Sequence, residues 1–287
     1  EDLYPAISLG SVSWNAGRIL GPMLAGITTS IWGPAATILG NAVSFVGMAL
    51  VMLTIRRPLK GGGEVRMRDF RRELVTAAKL MWRSPSLRTM LIAVAVLQAT
   101  FPTMFSLVPL YSKAVGGGKS FPQVLYTAIG LGAMVAGLSV SALARQFGRS
   151  KMLTALLVSA AASMIAASQL HDRISATIVA FIFGGSAVPA FVLIGGVVQR
   201  EAPEAFRGRI TSIQGAVIGL VFGVMAPVSG WLSDQFWGLR MQYIVSGAVL
   251  AGTVLLALIA RPQLRGHVDQ GDPMPLRQQL REARSAA

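Results

Sequence analysis

The sequence has no cysteine and only two histidines among its 287 residues. Disulfides and thiolate metal sites are therefore excluded. His171 and His267 stand in polar linkers, without the ligand cluster that a metal ion needs, so neither a metal nor a cofactor is expected. Charge is scarce too: 13% of residues carry it, against about 25% in a soluble domain. Acid is the scarcer sign, with 12 Asp and Glu facing 26 Lys and Arg. No acid pair, nucleophile with a base or metal cluster can be assembled, so an enzyme is not expected. The chain opens Glu1-Asp2-Leu3, without Met or a basic leader, and no signal peptide is read there.

What is present is apolar. Hydrophobic residues make up 53% of the chain and the mean hydropathy is +0.59, which excludes a disordered chain. Charge-free runs cover 19–55, 89–112, 120–144, 152–170, 174–199, 210–233 and 241–260. A membrane span needs about 20 apolar residues. The first run is too long for one helix and is broken at Trp32-Gly33-Pro34, a natural turn. Eight transmembrane helices follow: 5–31, 35–55, 89–111, 121–144, 151–170, 174–199, 210–235 and 239–260. No period-two alternation is seen, so helices are expected rather than a barrel.

The net charge of +14 is a topology signal. In an eight-helix trace, 21 of the 26 Lys and Arg fall on one side: ten in 56–88, then Arg145, Arg149, Lys151, Arg200, Arg207, Arg209 and five in the tail. The other side has Lys113, Lys119, Arg173 and Arg240. The rich side is read as cytoplasmic, which places both ends of the chain inside. Trp32 and Trp237 then lie at the outer interface. Basic residues spread over loops, without a stacking surface, do not make a nucleic-acid site.

The chain repeats itself at an offset of 205. Gly10, Val12, Pro22, Trp32, Gly33, Gly47, Leu50, Leu53 and Arg56 recur as Gly215, Val217, Pro227, Trp237, Gly238, Gly252, Leu255, Leu258 and Arg261. The first helix pair thus repeats the last pair, six helices on. Parallel repetition of a six-helix unit is a transporter architecture. Twelve helices are expected in the intact protein, of which this chain holds helices five to twelve. The expected divisions are 1–55, the last two helices of a first bundle; 56–88, a cytoplasmic linker; 89–260, a second six-helix bundle; and 261–287, a cytoplasmic tail.

Gly17-Arg18-Ile19-Leu20-Gly21-Pro22-Met23-Leu24-Ala25-Gly26 resembles the helix-five motif G-x-x-x-G-P-x-x-G-G of exporters in the major facilitator superfamily, with Ala25 in place of one Gly. Ser11 to Arg18, and Gln199 to Pro203 with Arg207-Gly208-Arg209, resemble the enterobactin-exporter-like branch. The turn Ser141 to Lys151 is similar to the superfamily's G-x-x-x-D-R-x-G-R-K turn in Gly148, Arg149 and Lys151, but Arg145 stands where the acid belongs. A charge relay is not expected there; tethering to anionic lipid is. The resemblance spans about residues 1–262. It implies an all-α polytopic bundle that exports a small siderophore- or drug-like molecule by alternating access, coupled to protons. It also implies a monomer in a bacterial inner membrane, with lipid and substrate as partners. A lysophospholipid-type transporter and a non-transporting scaffold or receptor of the same fold remain open.

Candidate site residues follow from depth. Ser8, Ser11, Asn15 and Arg18 share one helix face. Arg18 lies about 20 Å into its span at 1.5 Å per residue. A charge there costs at least about 2.5 kcal/mol, so it needs a wet cavity or a partner acid. It is expected to contact substrate, or else to pair with a helix outside this chain. Asn41, Gln98, Thr100, Tyr126 and Gln214 are the other intramembrane polar residues, as cavity lining or as interhelical bonds. Gly17, Gly21, Pro22, Ala25 and Gly26 are expected to form a close-packed bend that limits leak, or simply tight packing. Phe101, Phe105, Phe181, Phe183 and Phe191 are expected to pack or face lipid rather than to form an aromatic binding box. Gly184-Gly185-Ser186, Pro189 and Gly195-Gly196 interrupt one helix, as a gate or as a plain kink. Gly116-Gly117-Gly118-Lys119-Ser120 is no phosphate loop, because Lys113 occupies the required first Gly. Residues 67–83 read as a basic amphipathic helix in the headgroup layer, with Met67, Phe70, Leu74, Ala78 and Met81 at helical spacing on its apolar face.

Overall fold

The computed structural model describes residues 3–54, 67–203 and 206–260. Side chains are described from Leu24 onward, apart from those at 25, 26, 30, 34, 67–71, 141 and 260. The described residues are all-helical. The elements are α1 (Leu3–Thr54), α2 (Met67–Arg83), α3 (Pro85–Phe105), α4 (Val108–Ala114), α5 (Phe121–Phe147), α6 (Arg149–Gln169), α7 (Arg173–Glu201), α8 (Arg207–Leu232) and α9 (Gly238–Ala260). One π-helical turn, Ser233–Trp237, extends α8. The tail 261–287, with its expected helix near 276–284, lies outside the described residues.

Six helical segments are long and apolar enough to cross a membrane: Ala35–Thr54, Pro85–Phe105, Phe121–Val140, Arg149–Gln169, Arg173–Glu201 and Arg207–Ile259. The last has 53 residues, about 80 Å of helix, and is folded into two crossings at Gly238. The helical backbone 3–32 precedes them, so the trace has the eight helical segments expected. Two glycines break long helical runs in nearly the same backbone conformation. Gly33 leaves the helical conformation at φ 82, ψ 169, and Gly238 at φ 76, ψ 166. Only glycine occupies this region without strain. These are the two glycines that the 205-residue offset equates, each preceded by Trp.

The span expected at 89–111 is divided. Pro109 has no N–H for the Phe105 carbonyl, so α3 ends at Phe105 and α4 starts at Val108. In contrast, α5 runs past Arg145 to Phe147, and only Gly148, at φ 90, separates it from α6. A cation at a helix C-terminus favours the helix dipole, so Arg145 does not end the helix.

Packing in the bundle relies on small residues, because lipid offers no hydrophobic drive between helices. α5 and α7 approach until a Cβ on Gly132 would collide with the Phe181 carbonyl, and one on Gly184 with the Ile129 carbonyl. α6 and α9 meet at Gly247, where a Cβ would lie 2.6 Å from Ile165 Cγ1. Hydroxyl pairs link neighbours: Thr103 Oγ1 to Ser246 Oγ and Ser186 Oγ to Ser159 Oγ, both at 2.7 Å. Each is worth about 0.6 kcal/mol. α1 packs against α5, but no residue of the segment Ala35–Thr54 is buried.

The 67–83 helix forms as expected, with a shifted inner face. Ala77, Leu80 and Met81 are buried, whereas Ala78 is exposed. The reason is that α2 lies against α3 and α8, and these helices cover its 77–80–81 side.

Candidate functional site

Two stripes face each other across the bundle. On α3, Gln98, Phe101 and Phe105 recur at i, i+3 and i+7. On α8, Gln214, Ile218 and Phe222 recur at i, i+4 and i+8. Each set therefore lies on one helix face. Gln98 Nε2 donates to the Ile218 carbonyl at 3.2 Å, which joins the stripes. Gln98 and Gln214 are buried.

On the same face of α3 as Gln98 begins a group of rings. The Phe101 ring centroid is 5.5 Å from that of Phe105, 5.5 Å from Phe183, 5.7 Å from Phe191 and 6.4 Å from Phe222. Phe105 is 5.2 Å from Tyr126. These separations suit favourable ring pairs. Phe183 and Phe191 are buried, while Phe101, Phe105, Tyr126 and Phe222 keep part of their surface open. The result is an aromatic wall built by α3, α5, α7 and α8, in which the two α7 rings are buried and the other four are partly exposed. Phe181, by contrast, is exposed and outside the group.

Proline shapes the wall. Pro102, Pro189 and Pro227 lie inside α3, α7 and α8. Each withholds an N–H from the carbonyl four residues earlier. The carbonyl that Pro109 leaves unbonded is Phe105's, and Tyr126 Oη donates to it at 3.0 Å. The Tyr126 hydroxyl is thus committed to the backbone, and its ring is what the wall uses. Thr100 Oγ1 bonds carbonyls of its own helix.

The remaining expectations separate. Asn41 is exposed on the uncovered part of α1 and joins no other candidate. Ser11, Asn15, Arg18, Gly17, Gly21, Pro22, Ala25 and Gly26 belong to the helical backbone of α1, but their side chains lie outside the described residues. At the turn between α5 and α6, Gly148 supplies the break before α6 and Arg149 opens that helix. Arg207 and Gly208 are exposed at the start of α8. Arg209 bridges Glu73 of α2 at 2.6 Å and lies 5.6 Å over the Phe206 ring, which ties the linker helix to α8. On the opposite side, Arg173 Nε donates to the Gly116 carbonyl at 2.8 Å. Asp172 caps α7 through the Ser175 N–H at 2.8 Å. That backbone hydrogen bond holds the Asp172 carboxyl below its usual value. Among the described residues, no three His, Asp or Glu side chains are grouped to hold a metal ion.

Phe222 was not foreseen, although it lies two turns beyond Gln214 on the same face. A second unforeseen group is the buried cluster of Gln242. This residue accepts from Trp237 Nε1 at 2.8 Å and donates to Thr103 Oγ1 at 3.3 Å and Ser246 Oγ at 3.4 Å.

The profile of a family described as transmembrane secretion effector matches residues 1–281. The chain is similar to the multidrug efflux pump Tap of Mycolicibacterium fortuitum, with 24% identity over 260 residues, 85% of this chain and 62% of that protein. It is also similar to YuxJ of Bacillus subtilis strain 168, an uncharacterised MFS-type transporter, with 20% identity over 261 residues, 89% of this chain and 65% of that protein. The chain thus spans less than two-thirds of the length of these relatives.

Proposed function

The chain belongs to the transmembrane secretion effector family of the major facilitator superfamily, and we propose that the protein is a secondary active exporter of a small siderophore- or drug-like molecule. The observation that supports this reading is the wall of partly exposed rings, Phe101, Phe105, Tyr126 and Phe222, on helices of which two also carry the buried amides Gln98 and Gln214. An apolar surface with a few convergent polar groups suits a small-molecule site. Three of the four wall helices contain an internal proline, which suits helices that move between two packings.

On this reading the substrate crosses by alternating access. Residues 89–260 act as one bundle, 1–55 complete a second, and 56–88 link them on the cytoplasmic side. The Gly33 and Gly238 pair supports the equivalence of the two units. Arg18 meets an anionic substrate group or a partner acid, and the coupling proton rides on a carboxylate beyond the described spans. The protein works as a monomer in a bacterial inner membrane, with both ends of this chain inside. α2 rests in the headgroup layer, where exposed Arg72, Lys79, Arg83 and Trp82 meet anionic lipid.

The test is uptake of a fluorescent aromatic dye into inside-out vesicles that carry the protein. Accumulation with an imposed pH gradient, collapse with an uncoupler, and loss in an Arg18→Ala variant at normal expression are expected. Equal dye retention in vesicles with and without the protein would refute export of such a dye.

A further inference from the structure

A polar link lies on the face of α3 opposite the rings. Gln242, Thr103 and Ser246 are 3%, 0% and 5% exposed, and all three are hydrogen-bonded. Trp237 Nε1 can only donate, so the Gln242 amide oxygen must face it, at 2.8 Å. The amide nitrogen is then turned to the hydroxyls, Thr103 Oγ1 at 3.3 Å and Ser246 Oγ at 3.4 Å. Those two hydroxyls lie 2.7 Å apart. One planar amide therefore joins α3, α9 and the π-helical turn that extends α8. A buried network with all its members paired holds its elements in one arrangement.

What the link holds is the turn of α3 that carries two wall rings. The backbone of this turn is weak. Pro102 gives no N–H to the Gln98 carbonyl, and Pro109 gives none to the Phe105 carbonyl. Side chains of neighbouring helices hold the turn instead. Tyr126 Oη of α5 donates to the Phe105 carbonyl at 3.0 Å. Thr103 stands two positions from both Phe101 and Phe105, about 200° round the helix. Gln242 and Ser246 of α9 grip it there, so rotation of the turn about its axis would have to break their bonds.

We propose that Gln242 is a positioning residue for the aromatic wall: its amide fixes the Phe101–Phe105 turn of α3 against the end of α8, the helix that carries Phe222. It acts through Thr103 and Trp237 and sets how the rings of the two helices stand to each other. The consequence for transport rests on the export reading above; the effect on the rings does not.

The test uses the absence of cysteine from the sequence. Phe101→Cys with Phe222→Cys makes a wall pair, at rings whose centroids lie 6.4 Å apart. Ser159→Cys with Ser186→Cys makes a reference pair between α6 and α7, at hydroxyls 2.7 Å apart and outside the link. Cross-linking by a short bis-methanethiosulfonate is timed for each pair in vesicles, with and without Thr103→Val or Gln242→Met. Both changes keep the shape and remove the polar atoms, and Thr103→Val, a methyl for a hydroxyl, serves if Gln242→Met fails to fold. Each is expected to change the wall-pair rate by about fivefold, the population shift of one lost hydrogen bond, and to leave the reference pair unchanged. The two together should do no more than the larger single change, because either one breaks the same link. An unchanged wall pair, an equal change in both pairs, or strictly additive changes would overturn the proposal. Dye uptake by the cysteine-free variants then tests the tie to transport. The half-saturating dye concentration should rise about fivefold with the maximal rate retained. An altered wall pair with unaltered half-saturation would uphold the positioning of the rings and refute the wall as the substrate surface.

Discussion

The Trp32-Gly33 and Trp237-Gly238 reversals have nearly the same backbone, and the helices that leave them differ completely in burial. After Gly238, α9 buries Gln242, Tyr243, Ser246, Leu250 and Val254. The positions equivalent to these after Gly33 are Thr37, Ile38, Asn41, Phe45 and Ala49, and the Ala35–Thr54 segment buries none of its residues. The chain direction at each reversal is thus set locally, by a glycine where other residues are strained. Burial is set from outside, by whether α6 and α3 stand alongside. Even the polar bonding follows this division. Among the described residues, Thr37 bonds within its own reversal, to Gly33, Thr28 and Thr29. Its counterpart Gln242 reaches across to α3.

The largest effect should come from filling the tightest contact in one copy only. Gly247→Leu forces a side chain into Ile165 and the Ala161 carbonyl, and should cost about 3 kcal/mol. That would appear as a loss of most folded protein on gel filtration in detergent. Ala42→Leu, at the equivalent position of the first copy, should change nothing in this chain. An equal loss from Ala42→Leu would mean that this face is covered in the membrane.

Next comes the feature that the copies share. Gly33→Ala and Gly238→Ala should each destabilise by about 2 kcal/mol, since alanine is strained at either φ/ψ. Similar Tm shifts in the two variants are expected. A shift at Gly238 alone would show that the reversal depends on its packing. Smaller still, Gln242→Leu should cost about 1 kcal/mol, through the Thr103, Ser246 and Trp237 bonds it abandons. Thr37→Val should be close to neutral by the same unfolding measurement, because its partners are local and part-exposed. Equal costs for both would contradict the division between local and cross-helix bonding.

Much of this was legible in the chain itself. Charge-free runs locate the helices, because a span in lipid must be long, apolar and internally bonded. The offset of 205 equates Gly33 with Gly238 before any coordinate is known. Helix ends were harder. The break after Phe105 follows from Pro109, but a hydropathy run passes over a proline. The continuation of α5 to Phe147 was missed because Arg145 reads as a loop charge. For the site, polarity picked out Gln98, Tyr126 and Gln214; Tyr126 meets the Phe105 ring, Gln98 bonds the Ile218 carbonyl, and Gln214 is buried on α8. It could not pick out Phe222 or Gln242, which gain meaning only from what faces them. Asn41 shows the converse: a polar residue within an apolar run that meets no other candidate.

The central claim is that the partly exposed aromatic wall, rather than apolar surface in general, handles the exported molecule. It is tested most directly by dye uptake into inside-out vesicles for Phe101→Ala, Phe222→Ala and Phe181→Ala at matched expression. The wall account predicts at least a tenfold loss of pH-driven uptake for Phe101→Ala and Phe222→Ala, with Phe181→Ala close to the parent. Full uptake by both wall variants, or an equal loss in all three, would contradict it.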